Sequence, residues 1–289
     1  MQLFAIPTGN FKLDGGAMFG VVPKSLWSKN YPADENNMIN MAMRCLLVVD
    51  GDRRILINNG IGDKQSEKFF SHYYLNGDDS LEKSLSRAGY KPEDITDMFL
   101  THLHFDHSGG SVRYTADGQS FETVFPNATY WISTPQWEWA MHANRRESAS
   151  FLKENIKPIE ESGRLKLFDE PGELFPGIEI KFYNGHTEGQ AIPFIRYKDK
   201  TVVFTSDLLP THAHLPLPWV MSYDTRPLLT LDEKEIFLQE ALKNDYILYF
   251  EHDLYMECCT LKDTEKGIKV DREFKLEELN RMLSQSDLP

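Results

Sequence analysis

Three of the chain's nine histidines fall within six residues, in Thr101-His102-Leu103-His104-Phe105-Asp106-His107-Ser108-Gly109-Gly110. Imidazole and carboxylate are the donors that borderline divalent ions such as zinc prefer. Alternate side chains of a strand share a face, so His102 and His104 leave a strand end pointing the same way. Asp106 continues that alternation if the backbone stays extended, while His107 turns to another side. One short loop then feeds two neighbouring metal positions, the first from His102 and His104, the second from Asp106 and His107. Gly109 and Gly110 let the chain turn sharply without a Cβ clash.

More ligands are expected where other apolar strands give way to polar residues, because a rigid scaffold presents function there. Three places qualify: Asn184-Gly185-His186-Thr187-Glu188-Gly189, Thr205-Ser206-Asp207 and Phe250-Glu251-His252-Asp253. Of the remaining histidines, His72 and His142 read as structural or solvated. His212 and His214 lie in LLPTHAHLPLPW, a Pro-rich loop shortly after Asp207, and are candidates to face a substrate.

The elements that must hold these side chains follow from hydrophobic period and turn chemistry. Met41–Val49 and Arg54–Ile57 read as strands joined by the Asp50-Gly51-Asp52 turn. Ser80–Ala88 reads as a helix, and Asp97–Leu100 as a short strand leading into the histidines. Thr129–Ile132 is a strand, after which Thr134 is expected to cap a helix with Pro135 at its first position. Ile178–Tyr183, Ala191–Tyr197 and Thr201–Thr205 are strands, with Lys198-Asp199-Lys200 turning between the last two. Thr230-Leu231-Asp232-Glu233 fits a capping box for a helix to about Lys243. Tyr246–Phe250 reads as a buried strand and Lys275–Leu283 as a closing helix. Strands followed by helices thus occur twice, before and after roughly residue 170. An α/β chain with two packed sheets and helices outside satisfies both halves as one domain over 1–289.

At 289 residues the chain can bury a large core without disulfides. The formal charge of −13 argues against nucleic acid and against anionic membrane surfaces. Three cysteines without a CxxC pattern describe neither a disulfide framework nor a thiolate zinc site. The first residues lack the basic start and apolar run of a signal peptide, so a cytoplasmic location is expected.

The pieces THLHFDHSGG, GHTEGQ, TSDL and FEHD, in this order and with ILINNGIGD upstream, resemble the metallo-β-lactamase superfamily of binuclear metallohydrolases. The resemblance covers roughly residues 40 to 255. It implies an αβ/βα four-layer sandwich with two mixed sheets inside and two divalent metal ions at one edge. Zinc comes first, and iron, manganese and cobalt are tolerated by the same ligands. By that resemblance His102, His104 and His186 hold one ion, Asp106, His107 and His252 the other, and Asp207 bridges them. A hydroxide between the ions would be the nucleophile, with Asp106 shuttling its proton to the leaving group. Two departures stand out. Asn58 occupies a position where the family usually has an Asp that supports the metal loop, and Glu188 and Gln190 replace the commoner Pro and His.

The full His/Asp set and the segment DGGAMFGVVPKSLW look most like the lactonase and methyl parathion hydrolase branch. There residues 1–40 would help to wall the active site, making Met18, Phe19 and Trp27 candidate apolar contacts. The tyrosine that normally follows the bridging Asp by three residues is replaced by Pro210, and Tyr223 is a candidate substitute. A small-molecule ester is the expected substrate, lactone first, with phosphotriester hydrolysis as a side activity. Thioester hydrolysis of the glyoxalase II kind is the enzymatic alternative, and a non-catalytic metal- or ligand-binding protein the second. The apolar N-terminal arm also gives a homodimer a reason to form.

Overall fold

Asp50 and Arg53 pair across a two-residue turn whose Gly51 sits at φ 53°, a left-handed conformation that glycine adopts at little cost. This hairpin joins the strands Met38–Asp50 and Arg53–Ile57. The structure, a computed structural model, describes residues 1–285. The chain folds as two units, each assembled from separate stretches. The first comprises Met1–Phe11, Met43–Glu170 and Glu188–Ala191; the second comprises Lys12–Ala42, Pro171–Thr187 and the chain from Ile192 onward.

The first unit is built on a six-stranded sheet in the order Gln2–Asp14, Met38–Asp50, Arg53–Ile57, Asp97–Phe99, Thr129–Ser133, Leu165–Phe168. From Arg53–Ile57 onward neighbouring strands run parallel, with Ile55 opposite Asp97, Asp97 opposite Thr129 and Tyr130 opposite Leu165. Asp97–Phe99 is buried along its whole length, as a central parallel strand requires. Leu47, Leu56, Met98, Tyr130 and Ile132 form the core with Leu85 and Ile159 from flanking helices.

The second unit carries a seven-stranded sheet in the order Lys269–Phe274, Cys258–Lys262, Ile247–Tyr249, Lys200–Phe204, Gln190–Tyr197, Ile178–Tyr183, Gly172–Phe175. Val202 faces Ile247 in a parallel pair, and the strands on either side of that pair run antiparallel to it. The helix Pro227–Lys243 lays Phe237, Leu238 and Ala241 onto Phe194, Val203 and Leu248.

Helix starts differ from expectation in two places. Ser133, not Thr134, caps the helix Thr134–Met141: its Oγ accepts from the Gln136 N–H, and Thr134 bonds Asp169 instead. The later helix begins at Pro227, because proline is preorganised for a first helical position; Thr230 lies inside it. There Glu233 accepts from the Asn184 and Gly185 N–H groups rather than closing a capping box.

Candidate metal centre

In the first unit the histidine loop leaves the buried strand Asp97–Phe99, and His104 is still extended at φ −62°, ψ 150°. Extension stops there. Phe105–Ser108 is one helical turn, closed by the His107 and Ser108 N–H groups on the His104 carbonyl. Asp106 and His107 therefore leave from a helical turn, not from a continued strand alternation. Ser108 Oγ also donates to that carbonyl, at 3.0 Å, so the short turn is tied down by its own side chain.

The His102 ring lies 4.6 Å from His104 and 3.9 Å from His107, centroid to centroid. His107 Nε2 faces the Asp106 carboxylate at 3.6 Å. Gly109 has an ordinary right-handed φ of −62°. The glycines are needed for closeness instead: a Cβ on Gly109 would overlap the Ile61 carbonyl, and one on Gly110 the Asn59 carbonyl. That approach is locked by bonds from Asn59 N to the His107 carbonyl, from Gly110 N to the Gly60 carbonyl, and from Lys64 Nζ to the Gly109 carbonyl at 2.5 Å. Burial pushes the Lys64 ammonium down to about 8.

In the second unit three strand ends present His186, Asp207 and His252. The two oxygens of Asp207 face different histidines: Oδ2 lies 3.1 Å from His186 Nε2, and Oδ1 lies 3.2 Å from His252 Nε2. Ser206, just before Asp207, holds φ at 44°, a left-handed conformation uncommon for a residue with a Cβ. Burial opposes charge on His186, but the Asp207 and then Asp224 carboxylates outweigh it and push the imidazole up to about 10. These surroundings favour a positive charge, the condition that a divalent cation meets.

The outer nitrogens decide which tautomer each ring adopts. His102 Nδ1 meets Thr101 Oγ1 at 3.1 Å, and His104 Nε2 meets Glu147 Oε1 at 2.9 Å. His186 Nδ1 donates to Asp224 Oδ1 at 2.9 Å, and His252 Nδ1 to the Ala42 carbonyl at 2.9 Å. The carboxylate and carbonyl partners of His104, His186 and His252 can only accept, so in those three rings the outer nitrogen carries a proton and the inner one is the nitrogen available to a cation. Within the pairs His102/His104, Asp106/His107 and His186/Asp207, ligand atoms lie within 4.8 Å of one another. Buried imidazoles beside carboxylates are a donor set that fits divalent cations, which would take the place of the positive charge these carboxylates favour.

The residues expected to contact substrate separate sharply. Met18, Phe19, Trp27 and His214 are at most 1% exposed. Phe19 stacks on Trp27 at 5.0 Å and on His214 at 4.6 Å, with Trp219 edge-on, so these side chains pack on one another inside the second unit. His214 Nε2 donates to the Met18 carbonyl and Nδ1 accepts from Thr211, while burial pushes the ring down to about 4. It is a neutral structural histidine. His212 differs: its side chain is 23% exposed, and Nδ1 donates to the buried Asp253 carboxylate at 2.5 Å. Although burial opposes charge there, Asp253 holds the His212 imidazole above its usual range. Tyr223 is 41% exposed.

Several residues escaped the sequence reading. Glu147 holds His104 and is itself held by Trp139 Nε1 and Asn144 Nδ2. Asp224 and Glu233 grip the His186 loop from two sides. Lys234 donates to the carbonyls of His214, Pro216 and Trp219 at 2.9–3.0 Å, fixing the loop that carries the His214 stack. Burial pushes this ammonium down to about 7, against the pull of the Asp224 charge. Tyr73 packs on Phe105; burial and then the Asp106 charge push its hydroxyl up to about 12, so it is a phenol at neutral pH. None of these carries a local signature, apart from Lys234, whose neighbours three and four residues along the helix include the apolar Leu231, Phe237 and Leu238.

The family model of the metallo-β-lactamase superfamily matches residues 44–252. An N-acyl homoserine lactonase of Bacillus cereus is 26% identical over 94% of this chain and 98% of its own length. A solved structure of a probable metal-dependent hydrolase from Staphylococcus aureus superposes with a TM-score of 0.86 at 30% identity, covering 95% of this chain and 96% of that one. AidC, a dizinc quorum-quenching lactonase solved in complex with a product, superposes at 0.77 and 24% identity, covering 94% of both chains.

Proposed function

We propose, from the premise that the chain belongs to the metallo-β-lactamase superfamily and has its fold, that this metal-dependent hydrolase opens lactones at a two-ion centre. The observation that carries the two-ion reading is Asp207, which offers one oxygen toward each of two separate histidines. In this reading His102, His104 and His186 hold one ion, Asp106, His107 and His252 hold the second, and Asp207 spans both. Zinc is the proposed ion, since nitrogen donors and carboxylates without thiolate suit it. The metals supply Lewis acidity and, at neutral pH, a nucleophile drawn from water.

The chain's own residues do the rest. Thr101, Glu147, Asp224 and the Ala42 carbonyl orient four rings, so ligand geometry is set before substrate arrives. Asp106 has a partly exposed carboxylate and takes the proton at its oxygen, returning it to the leaving alkoxide. Tyr73, held as a phenol beside Asp106, can donate to a substrate oxygen. His212, Asp253-bound and partly exposed, and Tyr223 are the proposed polar contacts from the second unit. The Met18–Phe19–Trp27 arm packs inside the second unit rather than lining a wall.

A lactone substrate is favoured because the relative that matches nearly end to end is named for lactone hydrolysis. The test is a panel of acyl homoserine lactones of graded chain length, a phosphotriester and a glutathione-type thioester, assayed on zinc-loaded protein. Lactone turnover with at least tenfold preference over the thioester is expected, with weaker phosphotriester turnover. Thioester preference would move the reading to the glyoxalase kind, and bound metal without turnover of any of the three would leave a binding protein.

A further inference from the structure

Asn58 touches both ends of the histidine loop. Its φ of 58° is left-handed, a conformation that asparagine tolerates better than most residues, and it turns the side chain inward. Oδ1 accepts the Thr101 N–H at 3.0 Å, with the Thr101 hydroxyl 3.2 Å away. Nδ2 lies 3.0 Å from Thr101 Oγ1 and 3.1 Å from His107 Nδ1. The Thr101 N–H fixes this orientation, because turning the amide over would aim one N–H at another.

An amide NH2 can only donate, so His107 Nδ1 must accept. A neutral imidazole has one N–H, and with Nδ1 accepting, that proton sits on Nε2. Yet Nε2 is the nitrogen that faces Asp106 and the one a cation needs bare. His104, His186 and His252 have the opposite arrangement, their outer nitrogens donating to a carboxylate or carbonyl oxygen. To bind an ion, His107 must give up the Nε2 proton while Asn58 still donates to it, or the amide must turn and face the Thr101 N–H. Either route weakens binding.

Building on the two-ion reading, we infer that Asn58 makes the two metal positions unequal: one ion is held firmly, and the ion that His107 ligates is held loosely. A carboxylate at position 58 would remove the conflict. It accepts from the Thr101 N–H, the Thr101 hydroxyl and the His107 Nδ1–H together, which leaves Nε2 bare.

The test titrates metal-stripped protein with Zn2+ against a chromophoric chelator, and with Co2+ by its visible absorption. Two separate steps are expected in the wild type, with the weaker one tightened about 10- to 100-fold in Asn58→Asp, the usual effect of an outer partner on a metal ligand. Two equal steps in the wild type, or an unmoved weaker step in a folded Asn58→Asp variant, would overturn the inference while leaving two ions bound. One ion in both proteins would instead overturn the two-ion reading itself. An independent measurement needs no variant: long-range 1H–15N correlation on protein holding one zinc should show His107 with its proton on Nε2. A proton on Nδ1 would refute the account.

Discussion

Removing the Asp224 carboxylate isolates how much an outer hydrogen bond contributes to metal binding. Asp224 Oδ1 accepts from His186 Nδ1 at 2.9 Å, and the two side chains are only 1% and 3% exposed, so water cannot replace the bond cheaply. Hydrogen bonds to charged groups contribute about 1.5–3 kcal/mol. With about 1.4 kcal/mol per tenfold change, Asp224→Ala should weaken zinc binding by roughly 10- to 150-fold. Measured losses for outer partners of metal ligands, about 10- to 100-fold, cover nearly the same range. Asp224→Asn keeps an acceptor but loses the charge and should fall between. The assay is chelator competition for zinc on protein whose circular dichroism matches the wild type. Because the Asp224 charge also supports the Lys234 ammonium, metal-free melting is measured in parallel to separate that effect. Zinc affinity within about twofold of wild type in a folded Asp224→Ala variant would refute the reasoning.

Three other outcomes are expected. Elemental analysis of Asp207→Ala should find both ions depleted, whereas His252→Ala should chiefly lose one; equal full occupancy in both would remove Asp207 from its bridging role. Lys234→Met strands three carbonyls, each costing about 1–3 kcal/mol, partly offset by no longer burying an ammonium; a net loss of about 2–4 kcal/mol should lower Tm by several degrees. An unchanged Tm would show that the loop does not depend on the clamp. His214 stays neutral in the folded protein down to about pH 4, while the unfolded chain takes up its proton below 6.5. Its contribution is therefore whole above pH 6.5 and lost as pH falls from there toward 4, by roughly 3 kcal/mol. Urea midpoints of metal-free His214→Gln should accordingly fall less than wild type between pH 7 and pH 5, and parallel declines would contradict the assignment.

Seven ligand candidates were legible because chemistry and position coincide: each follows an apolar run whose strand character is readable from its residues. The helical turn after His104 was not legible, since Phe105-Asp106-His107-Ser108 is too short for a helical period to register. His212 and His214 look equivalent in a H-x-H pattern, yet one is a buried stacking ring and the other a carboxylate-bound, partly open one. Distance in the chain decides that, because Asp253 lies 41 residues beyond His212. Met18, Phe19 and Trp27 are apolar in a way that suits substrate contact and core packing alike, and only the fold shows that all three are at most 1% exposed. Glu147, Asp224 and Glu233 reach their partners across 38 to 49 residues, and such pairings leave no trace in local composition.

The bond from His252 Nδ1 to the Ala42 carbonyl closes a span of 210 residues, and Tyr31 bonds the His252 carbonyl and the Leu254 N–H across still longer ones. A ribosome releases residue 42 long before residue 252 exists. At about 5–20 residues per second, the stretch around Tyr31 and Ala42 waits on the order of ten seconds or more for its partners. Through that interval the Phe19–Trp27 arm has no His214 or Trp219 to stack against, and its aromatic surface is a natural client for a chaperone. Synthesis therefore orders maturation: the histidine loop of the first unit is complete early, and the Asp207 carboxylate gains its second histidine only when the last quarter of the chain emerges.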